Sequence, residues 1–240
     1  MTPRSLFLVC ISFSLLFSCS EDPKLVFNET VFTTEKNTMV EVIIPLASGT
    51  DATVTNAINA TINTHVIKAL KIGDPETINA KTIEESINYF NAEFEAFSND
   101  FPEAHPWDAQ IDGEVMYQSY EVISISLSSY LNTGGAHGNL TITFLNFNAK
   151  TGNLIKTEEL FNNMNAFEKI AKTYFEDTTE GENDILFDPQ SFQLPQNIGF
   201  NDQGIILLYN TYEVAPYSTG IIEFTIPFEE VSALLNFNGS

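Results

Sequence analysis

The chain has 240 residues, 43% of them hydrophobic and twenty of them Phe, which excludes a disordered polymer and suffices for one sizeable core or two small ones. Ten Lys plus Arg face thirty-two Asp plus Glu, a formal charge of -22, so long-range repulsion argues against nucleic acid as a partner and in favour of cationic ones. Both cysteines, Cys10 and Cys19, fall in the first twenty residues, leaving no thiol beyond them for a disulfide, a zinc-thiolate site or a nucleophile.

Arg4 and the apolar run Leu6 to Phe17 predict a signal peptide over residues 1–18, because the run is too short to span a bilayer. Leu16-Phe17-Ser18-Cys19 reads as a lipobox, with Cys19 as the lipidation site. Phe17 departs from the small or aliphatic residue preferred there, which leaves a plain secretory signal as the alternative. Two or more acyl chains on Cys19 give stable membrane attachment. Cleavage removes Arg4, so the remaining 222 residues carry a formal charge of -23. Residues 19–24 form a polar tether. Within it Ser20-Glu21-Asp22 resembles the acidic tag of Bacteroidetes lipoproteins, which implies anchoring in the outer membrane and exposure at the cell surface.

The fold class expected for the rest is α+β, with antiparallel sheets, packed helices and two closely associated subdomains over residues 25–110 and 111–240. Leu25 to Phe32 and Met39 to Ile44 read as two strands joined at Glu35-Lys36-Asn37. Between Asp51 and Leu70, Val54, Ile58, Ile62 and Val66 recur every fourth position and place one stripe on a helix, ended by Gly73-Asp74-Pro75. A second helix starts at the Thr82/Glu85 capping box and turns Ile83, Ile87, Phe90, Phe94, Phe97 and Phe101 to one side. The change from helical to alternating pattern near Trp107 to Gly113 marks the expected boundary between the halves.

Ile123, Ile125 and Leu127 alternate with Ser124, Ser126 and Ser128, predicting a strand with one buried and one wet face. Thr141 to Asn148 continues the sheet, and Lys150 to Asn153 turns it. Short helices follow at Thr157 to Phe161 and Asn165 to Phe175, with Phe167, Ile170 and Tyr174 facing in. Glu176 to Asp184 reads as an acidic loop without the spacing of an EF-hand. Asn201 to Gly204 turns into a strand over Ile205 to Tyr212. A last strand, Ile221 to Ile226, precedes a short helix from Glu229 to Leu235.

The densest motif is Tyr130-Leu131-Asn132-Thr133-Gly134-Gly135-Ala136-His137-Gly138, where three glycines in five positions allow unusual backbone or close approach. His137 either donates to a backbone carbonyl and pins this loop or takes part in binding. Tyr130, Gly134, Gly135, His137 and Gly138 are therefore candidate binding residues.

That motif is followed by Thr151-Gly152, Leu160-Phe161, Asp202-Gln203-Gly204 and Tyr209, then Tyr212-Glu213-Val214-Ala215-Pro216-Tyr217, Gly220 and Phe224 to Phe228. In this order, residues 120–235 resemble the domain of unknown function that forms the C-terminal half of the extracytoplasmic region of the anti-sigma factor RsiV. Val26 to Phe101 is similar to the N-terminal companion domain shared by RsiV and the peptidoglycan deacetylase PdaC. The RsiV region is a lysozyme receptor, so the resemblance implies recognition of a cationic protein and adds Glu213, Pro216 and Tyr217 to the candidate binding residues. Lacking a sigma-binding segment, the chain is expected to carry over only the binding half.

The rival expectation is a glycan-binding or glycan-modifying envelope protein. A zinc deacetylase needs a His pair on one helix turn plus an Asp. His65, His105 and His137 offer no such pair, so no metal, cofactor or catalytic residue is assigned. Trp107 either stacks on a sugar or closes a domain. Glu158-Glu159 and Glu229-Glu230 read as acids at helix starts, favoured there by the dipole.

Overall fold

The computed structural model describes residues 25–34, 37–49, 51–74, 77, 79–181 and 185–237. The expected signal peptide with Cys19, the expected tether, Glu35 and Lys36 of the expected turn, Pro75 and residues 182–184 of the expected acidic loop lie outside the described residues.

Alternation over the first strands forms β1 (Val26–Thr34) and β2 (Asn37–Ser48), paired antiparallel. Asp51 then caps α1 (Ala52–Ala69), its carboxylate accepting from the Thr53 and Val54 N–H groups. The stripe Val54, Ile58, Ile62 and Val66 is buried. Thr82 caps α2 (Ile83–Asp100), and Glu85 reaches back to the Lys81 N–H at 2.7 Å. Ile83, Ile87 and Phe90 are buried, whereas Phe101, the C-cap residue where the helical backbone ends, is 57% exposed.

The chain returns along β3 (Asp108–Gln118), β4 (Val122–Asn132) and β5 (Asn139–Asn148). These complete a five-stranded sheet in the order β1-β2-β3-β4-β5. Its pairs are antiparallel except β2 with β3, where the helical crossover of α1 and α2 brings Val40–Ile43 alongside Ala109–Asp112 in parallel. Pairing stops there because Pro45 has no N–H to donate, and a Cβ on Gly113 would lie 2.5 Å from Pro45 Cδ. The division expected between residues 110 and 111 thus falls inside β3. Two strands could not cover the apolar stripes of two helices, so β3 to β5 belong with the first core, which reaches from Val40 to Phe147.

A second core comprises Val122 and residues from Ile155 to Leu235. It contains α3 (Thr157–Leu160), α4 (Met164–Thr178) and a three-stranded antiparallel sheet, β6 (Asn197–Phe200), β7 (Gly204–Tyr209) and β8 (Ile222–Pro227), followed by α5 (Phe228–Val231). The inward residues of α4 are Phe167, Ala171 and Phe175, while Ile170 and Tyr174 are half-buried. The helix takes in the first residues of the expected acidic loop. Asn201 Oδ1 accepts from the Gln203 and Gly204 N–H groups and closes the β6–β7 turn.

The second sheet crosses the face of the first that α1 and α2 leave open. Ser124, expected to be wet, is fully buried, and its Oγ accepts from the Phe200 N–H at 3.1 Å. Asn146 Nδ2 donates to the Ile198 carbonyl at 2.7 Å, and Asn197 Oδ1 accepts from the Phe144 N–H at 3.3 Å. A Cβ on Gly199 would lie 2.6 Å from Phe144 Cγ, so the crossing requires glycine there. We expect Ser124→Ala to leave the Phe200 N–H buried and unpaired, lowering stability in urea unfolding by about 1–3 kcal/mol. Ser128→Ala, at a half-buried position on the same strand, should change the midpoint far less.

Candidate functional site

The β4–β5 hairpin ends at Leu131 opposite Asn139, and the glycine loop forms its tip. Asn132 Oδ1 accepts from the Gly134 N–H at 3.1 Å, and Gly134 has φ +83, a conformation that few other residues adopt cheaply. Gly138 is buried, and a Cβ there would fall 2.3 Å from the Tyr130 ring. Close packing of Tyr130 onto bare backbone therefore accounts for that glycine.

A strap from Asn210 to Tyr217 holds the other side of the tip. At its start Asn210 mimics a strand partner, with Oδ1 accepting from the Ile142 N–H at 2.8 Å and Nδ2 donating to the Ile142 carbonyl at 2.9 Å. At its end the Tyr217 hydroxyl donates to the Gly138 carbonyl at 3.1 Å. Pro216 precedes a turn of 3-10 helix over Tyr217–Thr219. Glu213 braces the strap from within, since its carboxylate oxygens accept from the Gln196 and Asn210 N–H groups at 2.8 and 2.9 Å.

His137 lies where the loop and strap meet. Its Nδ1 is 3.0 Å from the Gly138 carbonyl, which can only accept, so Nδ1 carries the proton. The ring stacks on Tyr217 with centroids 3.7 Å apart and planes 17° from parallel. Tyr212 extends the stack, 5.8 Å from Tyr217, with φ +67 and 56% of its surface exposed. Of the predicted residues, Tyr130, His137, Gly138 and Tyr217 thus come together, and His137 combines a pinned ring nitrogen with an exposed position at the tip. Gly134 and Gly135 occupy the exposed outer turn.

Sequence reasoning missed Asn210 and Tyr212 as parts of this assembly. The run Tyr209-Asn210-Thr211-Tyr212 looks like a continuing strand, but β7 stops at Tyr209 and the chain turns.

The remaining histidines are remote in the fold. His65 is half-buried on α1, where burial and then the Lys68 charge lower its pKa from 6.5. His105 is in the exposed segment after α2. Among the described residues, no group of three or more His, Cys, Asp or Glu is placed to hold a metal ion. Trp107 is 7% exposed and packs against Phe90, Phe94 and Phe97, so it closes the first core. Among the described residues two ion pairs form: Lys150 meets Glu121 at 3.7 Å, and Lys172 pairs with Glu176 one turn along α4.

Comparison with known proteins matches these two cores to two domain types. Residues 32–140 match the family described as Deacetylase PdaC, and residues 152–229 match the family described as Protein of unknown function (DUF3298). The chain therefore carries these domains in that N-to-C order. A crystal structure of a DUF3298 family member from Bacteroides fragilis is similar at a TM-score of 0.63 and 17% identity, covering 90% of this chain and 94% of that one. A DUF3298 family protein from Pseudomonas aeruginosa is similar at a TM-score of 0.57 and 18% identity, covering 90% and 95%. At these identities the likeness establishes a shared fold. No curated protein matches the chain.

We expect Gly138→Ala to force the Tyr130 ring aside and disturb the hydrogen bonds on the Gly138 carbonyl. In NMR spectra the His137 and Tyr217 ring signals should move, with a melting temperature lowered by several degrees. Gly135→Ala, where a Cβ would meet nothing closer than the His137 carbonyl at 3.7 Å, should leave both unchanged.

Proposed function

We propose that this chain is a lipid-anchored binding protein of the cell envelope, held through Cys19, whose tip recognises a cationic protein, with lysozyme the first candidate. The observation that carries the reading is the stack of His137, Tyr217 and Tyr212, exposed at His137 and Tyr212 and braced through half-buried Tyr217 by the glycine loop and a hydrogen-bonded strap. Rigid aromatic side chains bury large area at little entropic cost, which is what an interface anchor needs. The formal charge of -23 left once Arg4 is removed supplies the complementary field, because an excess of carboxylates steers a basic partner toward the surface. The paired domain types support an extracytoplasmic role in the envelope.

A second reading, glycan binding or modification, draws on the Deacetylase PdaC match over residues 32–140. The same aromatic faces could stack on sugar rings, and the acidic residues would then serve solubility.

Surface plasmon resonance against lysozyme, with cytochrome c as a basic control, distinguishes the readings. Association with lysozyme should slow markedly between about 50 and 300 mM salt while dissociation changes less, because screening acts on the encounter of separated charges. Tyr212→Ala and Tyr217→Ala should each weaken lysozyme binding by about tenfold or more if they are anchors. Tyr217→Ala also removes the bond to Gly138, so Tyr212→Ala is the cleaner variant. Equal affinity for the two basic proteins overturns the receptor reading, and saturable binding of peptidoglycan fragments in its place would favour the glycan one.

The anchor is tested separately. Mass spectrometry of detergent-extracted protein should find an acylated Cys19 as the first residue, and Cys19→Ala should release the protein from membranes. Undiminished membrane association of that variant would overturn the lipid-anchor assignment.

A further inference from the structure

On the side of the strap facing α4 there is a cavity of about 190 Å³ lined by Phe175, Leu186, Phe187, Val214, Asp188 and Glu213, among others. Its volume is well below the ~300–1,000 Å³ of pockets for drug-sized ligands and fits a single side chain. Phe175 and Leu186 are buried apolar groups, and Phe187, 59% exposed, stands at the wall. The carboxylates bring negative charge to this apolar lining.

Glu213 is the informative group. Its two oxygens accept from the N–H groups of Gln196 and of Asn210, the first residue of the strap, so the charge is held in place before anything binds. A carboxylate has about four lone-pair sites, and these two bonds leave capacity for more. Asp188 is exposed, with one oxygen accepting from the Gln190 N–H at 3.1 Å. No ion pair between described residues involves either acid. The charge of Glu213 also reaches the neighbouring wall: burial and then this carboxylate raise the pKa of Tyr209, whose hydroxyl donates to the Gln193 carbonyl.

We infer that this cavity is the seat for one Lys or Arg side chain of the cationic partner, with its stem on Phe175, Leu186 and Val214 and its charged head at Glu213 and Asp188. Such side chains match the lining because they bury an apolar stem while keeping a cation at the end. Against the preset Glu213 carboxylate the head gains a charge-assisted hydrogen bond. The inference rests on the reading of the chain as a receptor for a cationic protein. It adds a second contact on the segment that carries Tyr212 and Tyr217, since Glu213 and Val214 line the cavity and lie between those tyrosines in the strap.

The test uses the full chain in non-ionic detergent micelles, labelled with 13C at the Leu and Val methyl groups, with n-butylguanidinium as the probe. Saturable shifts of the Leu186 and Val214 methyls are expected at millimolar concentrations, the affinity of roughly one anchored side chain. The neutral isostere n-butylurea should bind at least about fivefold more weakly, because it lacks the charge that the carboxylates recognise. Asp188→Asn keeps the acceptor for the Gln190 N–H but removes a charge, so it should weaken n-butylguanidinium binding about threefold or more without altering the unliganded spectrum. Glu213→Gln should weaken it further, with Asp188→Asn decisive if that variant unfolds. Equal binding of the urea and the guanidinium, or no saturation by about 50 mM, overturns the assignment. Failure of lysozyme binding alongside cation-selective shifts would sink the receptor reading while leaving the cavity assignment standing.

Discussion

The architecture depends on how the outer edge of β5 is closed. An edge strand presents a row of backbone donors and acceptors that must find partners, and among the described residues no further strand continues the ladder. The Ile155 N–H donates to the Asn146 carbonyl, and the Asn148 N–H donates to the Asn153 carbonyl. Beyond them Asn197 takes the Phe144 N–H, and Asn210 takes both polar groups of Ile142. Amide side chains thus stand in for backbone, and in doing so they attach the second sheet to the first. The tip inherits its rigidity from this closure, because the strap that supports His137 begins at Asn210.

Much of this was legible in the chain where burial follows a simple period. The four-residue spacing of Val54, Ile58, Ile62 and Val66 and the Thr82/Glu85 cap identify α1 and α2 closely. The serine strand was harder. Alternation marks Ser124 as polar but cannot tell water from a backbone N–H as its partner, and the hydroxyl suits either. β6, with four buried residues, is too short for alternation to register. The boundary between cores was misplaced for a related reason: the pattern change at Trp107 records the end of the helices, whereas the sheet that covers them is completed by strands later in sequence.

The tip was partly legible for a different reason. Clustered glycines signal a backbone under unusual demands, and Gly134 and Gly138 meet two of them, positive φ and contact with Tyr130. What the aromatic groups do was not legible, because the His137–Tyr217 stack joins residues eighty positions apart. Glu213 shows how one residue can have two kinds of partner: its oxygens brace the backbone, and the same bonds hold its charge at a cavity wall.

The closure of β5 also imposes an order on folding. Ile142 and Asn210 are 68 residues apart, and Phe144 and Asn197 are 53 apart, so the contacts that finish the edge are among the costliest in loop entropy. A chain emerging from its N-terminus can build the first core while β5 still lacks its last partners. During that interval a hydrogen-bonding edge and the side chains around Phe144 lie open to neighbouring chains, the condition under which partly folded proteins self-associate. Docking of the second core is therefore the step at which a newly made molecule becomes safe from its own copies, and a chaperone would have most to gain by shielding this edge until residues 197–210 arrive.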